Sequence, residues 1–191
     1  MFREAHSILS KRGPGRRQYR PGQGVTTLFL VRAPIVLATI AWAIGEALMR
    51  RSPRSDRLAR VSWTVGVVLT LLHVVLAFDL TYAWDHEAAV QATVSQTLAL
   101  VGWGWRGSIY INYLFLAIWT ADACWWWLAP ASHATRARWI EMTRLALFTF
   151  MFFNGAVVFA SSATTRVVGL AAVTAVLIGS RARLPQLWFA Q

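Results

Sequence analysis

Cysteine, lysine and acidic side chains are scarce in this sequence. Among 191 residues there are one cysteine (Cys124), one lysine (Lys11) and eight aspartates and glutamates. A single cysteine excludes an internal disulfide and a CxxC metal or redox motif, and its place in an apolar run favours a packing role. Charged residues make up 14% of the chain, against about 25% in a soluble domain. This composition excludes a disordered chain and an ordinary soluble enzyme.

Common catalytic motifs are missing as well. The sequence has no GxSxG, no HExxH and no Walker A pattern, so the usual hydrolase, zinc-protease and P-loop assignments have no support. The sequence therefore favours a non-enzymatic role.

Long apolar runs fill most of the chain, which is 57% hydrophobic and has a mean hydropathy of +0.46. Since a bilayer core of about 30 Å needs about 20 helical residues, five runs are candidate membrane spans: 27–49, 61–84, 108–128, 144–162 and 167–179. The less apolar segment 86–102 predicts a helix that lies in the membrane interface. We predict an all-α integral membrane protein: one domain, 27–191, with four or five transmembrane helices and one interfacial helix.

The formal net charge is +11, and much of it lies outside the apolar runs. Residues 1–26 combine six basic residues with glycine and proline, which predicts a flexible basic arm because this composition buries no core. The other arginines lie mainly in short segments between runs, where arginine contacts anionic lipid headgroups. We therefore expect the lipid bilayer, rather than nucleic acid, as the partner of this charge.

The arginines are distributed unequally between the two sides of the predicted bundle. Segments 50–60 and 130–144 and the C-terminal tail carry ten arginines, whereas the opposite connections carry Arg106 and Arg166. The positive-inside rule then places the arginine-rich segments and the C-terminus in the cytoplasm, and the arginine-for-lysine bias suggests a bacterial inner membrane. Five spans would put the basic arm outside. If the first run lies in the interface instead, four spans remain, and Arg32 and Glu46 keep this alternative open.

Tryptophan is unusually frequent, with eleven in the chain. Tryptophan is enriched at membrane–water interfaces. We interpret most of these residues as two aromatic belts, one with Trp63, Trp125, Trp126, Trp127 and Trp139 and the other with Trp84, Trp103 and Trp105.

Polar residues inside the runs are the candidate functional residues, because ionisable groups in membrane helices are costly and usually face the bundle interior. Helical phase and depth predict an outer cluster of Asp79, Tyr82, His86 and Asn112, and an inner cluster of His73, Asp122 and Thr70, with Asn154 between the two levels. On the third run, a 3-4-3-4 spacing predicts a seam that faces the neighbouring helices: Asn112, Phe115, Trp119, Asp122 and Trp126.

These residues have three interpretations. His73 and Asp122 fit a hydrogen-bonded pair that fixes helix packing. They also fit a cofactor site in which His73 is the single ligand of a metal or ring cofactor, with Trp119 and Asp122 beside it, or a proton relay. Asp79 and His86 offer oxygen and nitrogen ligands for a metal ion. The identity of any cofactor stays open.

For function, we expect an accessory or structural subunit of a larger membrane complex, in contact with other subunits or with copies of itself. The small size, short loops and missing catalytic motifs favour this interpretation. A cofactor-bearing redox or light-handling protein that uses His73 or the Asp79 and His86 cluster is the first alternative, and a small proton, ion or solute transporter is the second.

Overall fold

The computed structural model describes residues 23–49, 52–160 and 162–181, and within these ranges the chain forms helices joined by short turns. Most of the predicted basic arm lies outside the described residues, although residues 23–26 form the first turn of a helix. The helices are α1 (Gln23–Leu48), α2 (Pro53–Leu80), α3 (His86–Val101), α4 (Ser108–Leu128), α5 (Pro130–Ala134), α6 (Arg138–Phe153), which continues as a π-helical turn over Asn154–Val158, and α7 (Ala163–Arg181). The predicted all-helical class is confirmed.

Helix α2 begins eight residues before its predicted start, because its start signal lies in the arginine-rich segment. Ser52 is the N-cap and accepts from the backbone N–H of Ser55, whose hydroxyl in turn accepts from the Ser52 N–H. Pro53 occupies the first helical position, where its fixed φ and missing N–H are tolerated. The helix ends at Leu80 rather than at residue 84.

Five long helices alternate in direction. Ser62 of α2 donates to the Ala41 carbonyl of α1, and His73 lies 2.7 Å from the Val31 carbonyl, so α1 and α2 are antiparallel along most of their length. Two contacts, Trp63 with Trp126 and Gly66 with Trp119, make α4 antiparallel to α2. Two others, Trp42 with Phe152 and Glu46 with Arg144, make α6 antiparallel to α1, and therefore also to α4, which has the same direction as α1.

This alternation gives the bundle two ends. We call the end with the α1–α2 connection and α5 the arginine end, and the end with residues 81–85 and 102–107 and the start of α7 the distal end. Residues 52–60 and 129–138, which belong to the predicted arginine-rich segments, lie at the arginine end.

Within the described residues, four helices are long and apolar enough to cross a membrane: Gly24–Leu48, Pro53–Leu80, Arg138–Val158 and Ala163–Ser180. All four coincide with predicted runs. Helix α4, the third predicted run, is 21 residues long but is not among them, since its tyrosines, tryptophans, Asn112 and Asp122 lower its hydropathy. The first predicted run is therefore a long helix packed along α2.

Helix α3 follows α2 through a tight turn in which Ala83 and Trp84 adopt the left-handed φ values of 49° and 62°. The Asp85 side chain caps α3 by accepting from the N–H groups of Glu87 and Ala88. Gly102, with a φ of 73°, ends the helix as its C-cap. The helix predicted over 86–102 thus forms almost as expected, with Ala89 and Val90 packed against Ile109 of α4.

The second half of the chain departs more from prediction. Helix α6 begins at Arg138, six residues before the predicted run, and α7 is 19 residues long, against a predicted 167–179. The two helices approach closely at Gly169, where an added Cβ would lie 2.6 Å from the backbone oxygen of Ala156. The short helix α5, which begins at Pro130, is not among the predicted elements.

The main core lies toward the arginine end and is rich in aromatic side chains. Trp42, Trp63, Trp119 and Trp126 are almost completely buried, and Trp63 stacks on Phe148 with ring centroids 4.9 Å apart. The belt interpretation is therefore wrong for Trp63 and Trp126, which are core residues. The predicted seam of α4 is confirmed for Phe115, Trp119, Asp122 and Trp126, whereas Asn112 is exposed.

Candidate functional site

Six ionisable side chains form a buried cluster at the arginine end, which we call the charged cluster: Glu46, Asp122, His133, Arg136, Glu141 and Arg144. They come from α1, α4, α5 and its following turn, and α6, so the cluster joins segments that are far apart in the sequence. Glu46 is 1% exposed and Arg144 5%. Buried charges at this depth require partners, because their desolvation is otherwise very costly.

Arg144 is the centre of one half of the cluster. Its guanidinium pairs with Glu46 of α1 and, at 3.0 Å, with Glu141 one turn earlier in α6. It also lies over the Trp63 ring, with 4.9 Å between the guanidinium carbon and the ring centroid. The combination of two carboxylates and an aromatic face is the environment that lets an arginine remain charged when buried.

Arg136 and His133 form the other half. The Nε of Arg136 donates to Glu141 at 2.6 Å, and Nη1 donates to the main-chain carbonyl of His133 at 3.1 Å. The His133 ring stacks on Trp126 with centroids 4.6 Å apart. Its Nε2 lies 3.4 Å from Oδ1 of Asp122. Burial lowers the pKa of His133 below its ordinary value and Arg136 lowers it further, while the Asp122 hydrogen bond opposes this shift.

Asp122 is the least satisfied member of the charged cluster. Its Oδ2 is buried and has no hydrogen-bond partner among the described residues, while Oδ1 faces His133. Buried carboxylate oxygens normally accept hydrogen bonds. The Asp122 side chain is therefore held in the charged cluster through Oδ1 alone.

The predicted pairing of His73 with Asp122 is wrong. His73 Nδ1 lies 2.7 Å from the Val31 carbonyl of α1, whereas Asp122 contacts His133. Two reasons explain the difference. His73 faces α1 rather than α4, and the packing of Trp119 on Gly66 places Asp122 closer to the start of α2, about 12 Å from the level of His73 at 1.5 Å per residue.

Trp119 also has a structural environment of its own. The indole is completely buried and packs against Trp63, Phe115 and Phe148. It lies so close to Gly66 that an added Cβ would be 2.5 Å from the ring. None of the contacts described for His73, Trp119 and Asp122 joins any two of the three, so the predicted cofactor site is not assembled from them.

The predicted outer cluster is divided among separate contacts at the distal end. His86 lies between two tyrosines of α4, with Nε2 3.4 Å from the Tyr110 hydroxyl and Nδ1 3.3 Å from the Tyr113 hydroxyl. Asp79 accepts from the Trp84 indole at 3.3 Å. Tyr82 packs on Phe78, where burial raises the pKa of its hydroxyl, and Asn112 is exposed without a hydrogen bond among the described residues.

Thr70 and Asn154, the remaining candidates, make contacts within their own helices. The Thr70 hydroxyl donates to the Gly66 carbonyl and the Asn154 amide to the Phe150 carbonyl. Such bonds to the preceding turn are how these residue types satisfy themselves within an apolar helix. Both side chains therefore have structural partners.

Metal and nucleotide sites receive no support from the described part of the chain. It contains no group of three or more His, Cys, Asp or Glu side chains placed to hold a metal ion, so Asp79 and His86 lack a third ligand. Residues 102–107 have the glycine spacing GxGxxG, which sequence reasoning missed. That fingerprint requires a preceding strand, and here the segment follows α3.

One exposed ion pair joins α3 to the α3–α4 connection at the distal end. Arg106 contacts both carboxylate oxygens of Glu87, at 2.8 and 2.7 Å. The Arg106 hydrogen bond is the main cause that lowers the pKa of Glu87 to about 2. Because both groups are exposed, the pair fixes local geometry more than it stabilises the fold.

Sequence reasoning missed most of the charged cluster. Glu46 was read only as an interruption of the first run, and Arg136 and Arg144 were counted as loop charges. A usable signal was present, since a carboxylate near the end of one apolar run and an arginine near the start of another are expected to pair.

Comparisons with known protein families, with curated proteins and with solved structures give no match to this chain.

Proposed function

We propose that the chain is an integral protein of a bacterial inner membrane, in which α1, α2, α4, α6 and α7 cross the bilayer. Four of these helices have the required length and hydropathy, and α4 lies antiparallel to two of them. The arginine end would face the cytoplasm, together with the C-terminus, because arginine-rich connections are retained on that side. Helix α3 would lie in the outer interface, with the exposed Trp103 and Trp105 beside it.

Within that membrane, we propose that the protein is an accessory or structural subunit of a larger complex. The observation that carries this proposal is the incomplete cover of the distal half of α2. No residue of α2 from Leu71 to Leu80 is buried. Asn112, which shares the seam of α4 with buried Phe115 and Trp119, is exposed there.

An exposed amide on a membrane helix is unfavourable against lipid but favourable against a polar group of another helix. A partner helix against the distal halves of α2 and α4 would cover Asn112 and complete the seam. The internal contacts of His73, Asp122 and His86 support the same interpretation, because they give these polar side chains roles in packing.

The experiment is site-specific photocrosslinking in the native membrane. A benzophenone amino acid replaces Asn112, and a matched control places it at Leu170, which is 52% exposed on the distal half of α7. We expect one discrete protein adduct from Asn112 and none from Leu170. The proposal of a partner subunit at this surface is wrong if Asn112 gives only lipid adducts, or if both positions give the same diffuse pattern of adducts. An adduct of twice the chain mass identifies a second copy as the partner.

The Asp122–His133 pair favours proton transfer as a second candidate function. Its supporting observation is the buried Asp122 Oδ2 without a partner, next to a histidine whose pKa is lowered by burial. The measurement is proton flux into liposomes that contain the purified protein. Asp122→Asn should abolish the flux and Glu87→Gln, at the exposed ion pair, should not. Flux that is absent, or equal in the parent protein and Asp122→Asn, excludes this role.

A further inference from the structure

An apolar groove runs along the outer surface between α2 and α4. It has a volume of about 260 Å³, and its walls include Thr64 and Val67 of α2 and Thr120, Cys124 and Trp127 of α4. The threonine hydroxyls both donate to carbonyls of their own helices, and the Trp127 indole N–H donates to the Thr64 hydroxyl at 2.9 Å. The groove therefore offers an apolar surface whose polar atoms already have partners.

Arg60 lies at the end of this groove that is nearest the arginine end. It is one helical turn before Thr64, and its guanidinium carbon lies 5.0 Å from the Trp127 ring centroid and 5.9 Å from that of Trp126. These cation–π contacts hold the guanidinium over the aromatic side of the groove. From Trp127 to Thr120 the groove extends about 10 Å toward the middle of the bundle, at 1.5 Å per residue.

The Arg60 side chain is only weakly paired with a carboxylate. Among the described residues its contact of this kind, Nη2 to Oδ2 of Asp56, is 3.7 Å long, and 19% of the side chain is exposed. Its Nε is buried, so a ligand would meet the terminal guanidinium nitrogens. Arg57 is exposed about one turn earlier on α2, closer to the arginine end, and adds a second positive charge there.

We propose that this groove binds one anionic phospholipid, with an acyl chain along Thr64, Val67 and Cys124 and the phosphate at Arg60. The proposal rests on the membrane insertion proposed above. It follows from charge complementarity, because a partly exposed and only weakly paired cation stands at the mouth of an apolar channel. A neutral phospholipid would fill the same groove but would gain less binding free energy from the arginine at its mouth.

Cys124 gives a direct readout, since it is exposed, lines the groove, and is the single cysteine of the chain. The experiment measures the alkylation rate of Cys124 by N-ethylmaleimide in mixed micelles, with phosphatidylglycerol or phosphatidylcholine added at equal mole fraction. We expect phosphatidylglycerol to slow the reaction about fivefold more than phosphatidylcholine, the factor that one basic residue contributes to anionic-lipid binding.

Variants assign the effect to the proposed contact. Arg60→Gln should remove the difference between the two lipids, whereas Arg54→Gln, two turns from the groove, should preserve it. Asp56→Asn should increase the difference because it removes the competing carboxylate, and Arg60→Lys should retain part of it.

Each outcome has a distinct meaning. Equal protection by both lipids in the parent protein shows a groove that takes any acyl chain and overturns the proposal of an anionic site. A preference that survives in Arg60→Gln overturns the role of Arg60. If neither lipid slows the reaction, the groove does not hold lipid, and photocrosslinking at Leu170 to lipid separately tests whether the bundle is in a membrane.

Discussion

Arg144 of α6 and Glu46 of α1 are 98 residues apart along the chain and form a buried ion pair. The pair joins the first and fourth long helices at the arginine end. Because Arg144 also contacts Glu141 and the Trp63 ring, it links ionic and aromatic parts of the core. The loss of its charge should therefore affect the whole bundle.

We expect Arg144→Met to lower the free energy of unfolding by about 3–5 kcal/mol, because it leaves the buried Glu46 carboxylate without its guanidinium partner. The double variant Glu46→Met with Arg144→Met should recover much of this loss, since an apolar pair of similar volume requires no desolvated charge. Denaturant titration of the purified protein measures both. Arg106→Gln, at the exposed ion pair, is the control and should have the same free energy of unfolding as the parent. An equal loss of free energy in Arg144→Met and in this control would contradict the role of burial.

Gly66 and Trp119 form a second close contact, which leaves no space for a larger side chain at position 66. A Cβ at Gly66 would lie 2.5 Å from Cζ2 of Trp119, so Gly66→Ala should cost about 1–3 kcal/mol of stability through overpacking. Combining it with Trp119→Phe, which removes the crowded atoms, should restore part of the loss. Gly155→Ala is the matched control, because nothing lies within 4 Å of an added Cβ there. The measurement is the unfolding midpoint in detergent, and no loss in Gly66→Ala would show that Trp119 moves freely.

The all-helical class was predictable from the sequence because apolar runs of 20 residues leave few alternatives. The boundaries were less predictable. Capping by Ser52 and the start of α6 at Arg138 lie in polar segments, where hydropathy gives no signal. The predicted burial of the α4 seam is correct where neighbouring helices cover it and wrong at Asn112. Helical phase specifies which face of a helix is buried, but not how far the neighbouring helices extend along it.

The candidate site was harder to predict than the fold. His73 was paired with Asp122 from inferred depth, but depth does not specify which neighbour a side chain faces, and His73 faces α1. His133 lies between the predicted runs 108–128 and 144–162, yet α5 brings it against Trp126 and Asp122. These contacts depend on the register between helices and on the short helix α5, and neither can be predicted from the residue pattern of a single sequence.

Helix α6 provides a test of the proposed topology, because α5 and the start of α7 lie at opposite ends of it. In a Cys124→Ala background, Ser132→Cys and Thr164→Cys place single thiols at two exposed positions. A membrane-impermeant maleimide added to intact cells should label Thr164→Cys, while Ser132→Cys should react only after the membrane is opened. Labelling of both positions in intact cells would contradict a membrane-crossing α6.

The stability of the bundle should fall as the pH is lowered through the ordinary pKa of histidine, about 6.5. Burial lowers the pKa of His133 in the folded protein, so the unfolded chain takes up a proton first. The free energy of unfolding therefore decreases as the pH falls below about 6.5, until His133 is protonated in the folded protein as well. Glu87 has a pKa of about 2 in the folded protein against an ordinary value of 4.5, so its own contribution to the slope lies mainly below pH 5.

Thermal unfolding of the parent protein and His133→Gln between pH 5 and pH 8 isolates this contribution. The parent midpoint should decrease toward pH 5, and His133→Gln should show a smaller decrease, because glutamine keeps a polar contact to Asp122 without a titrating proton. The groups that face His133 are Asp122 of α4 and Arg136 and Arg144 on the α6 side. Asp122→Asn should steepen the decrease, since it removes the carboxylate that favours the protonated ring. Identical pH profiles for the parent and His133→Gln would show that folding does not shift the pKa of His133, and a parent midpoint that rises toward pH 5 relative to His133→Gln would show that folding raises it.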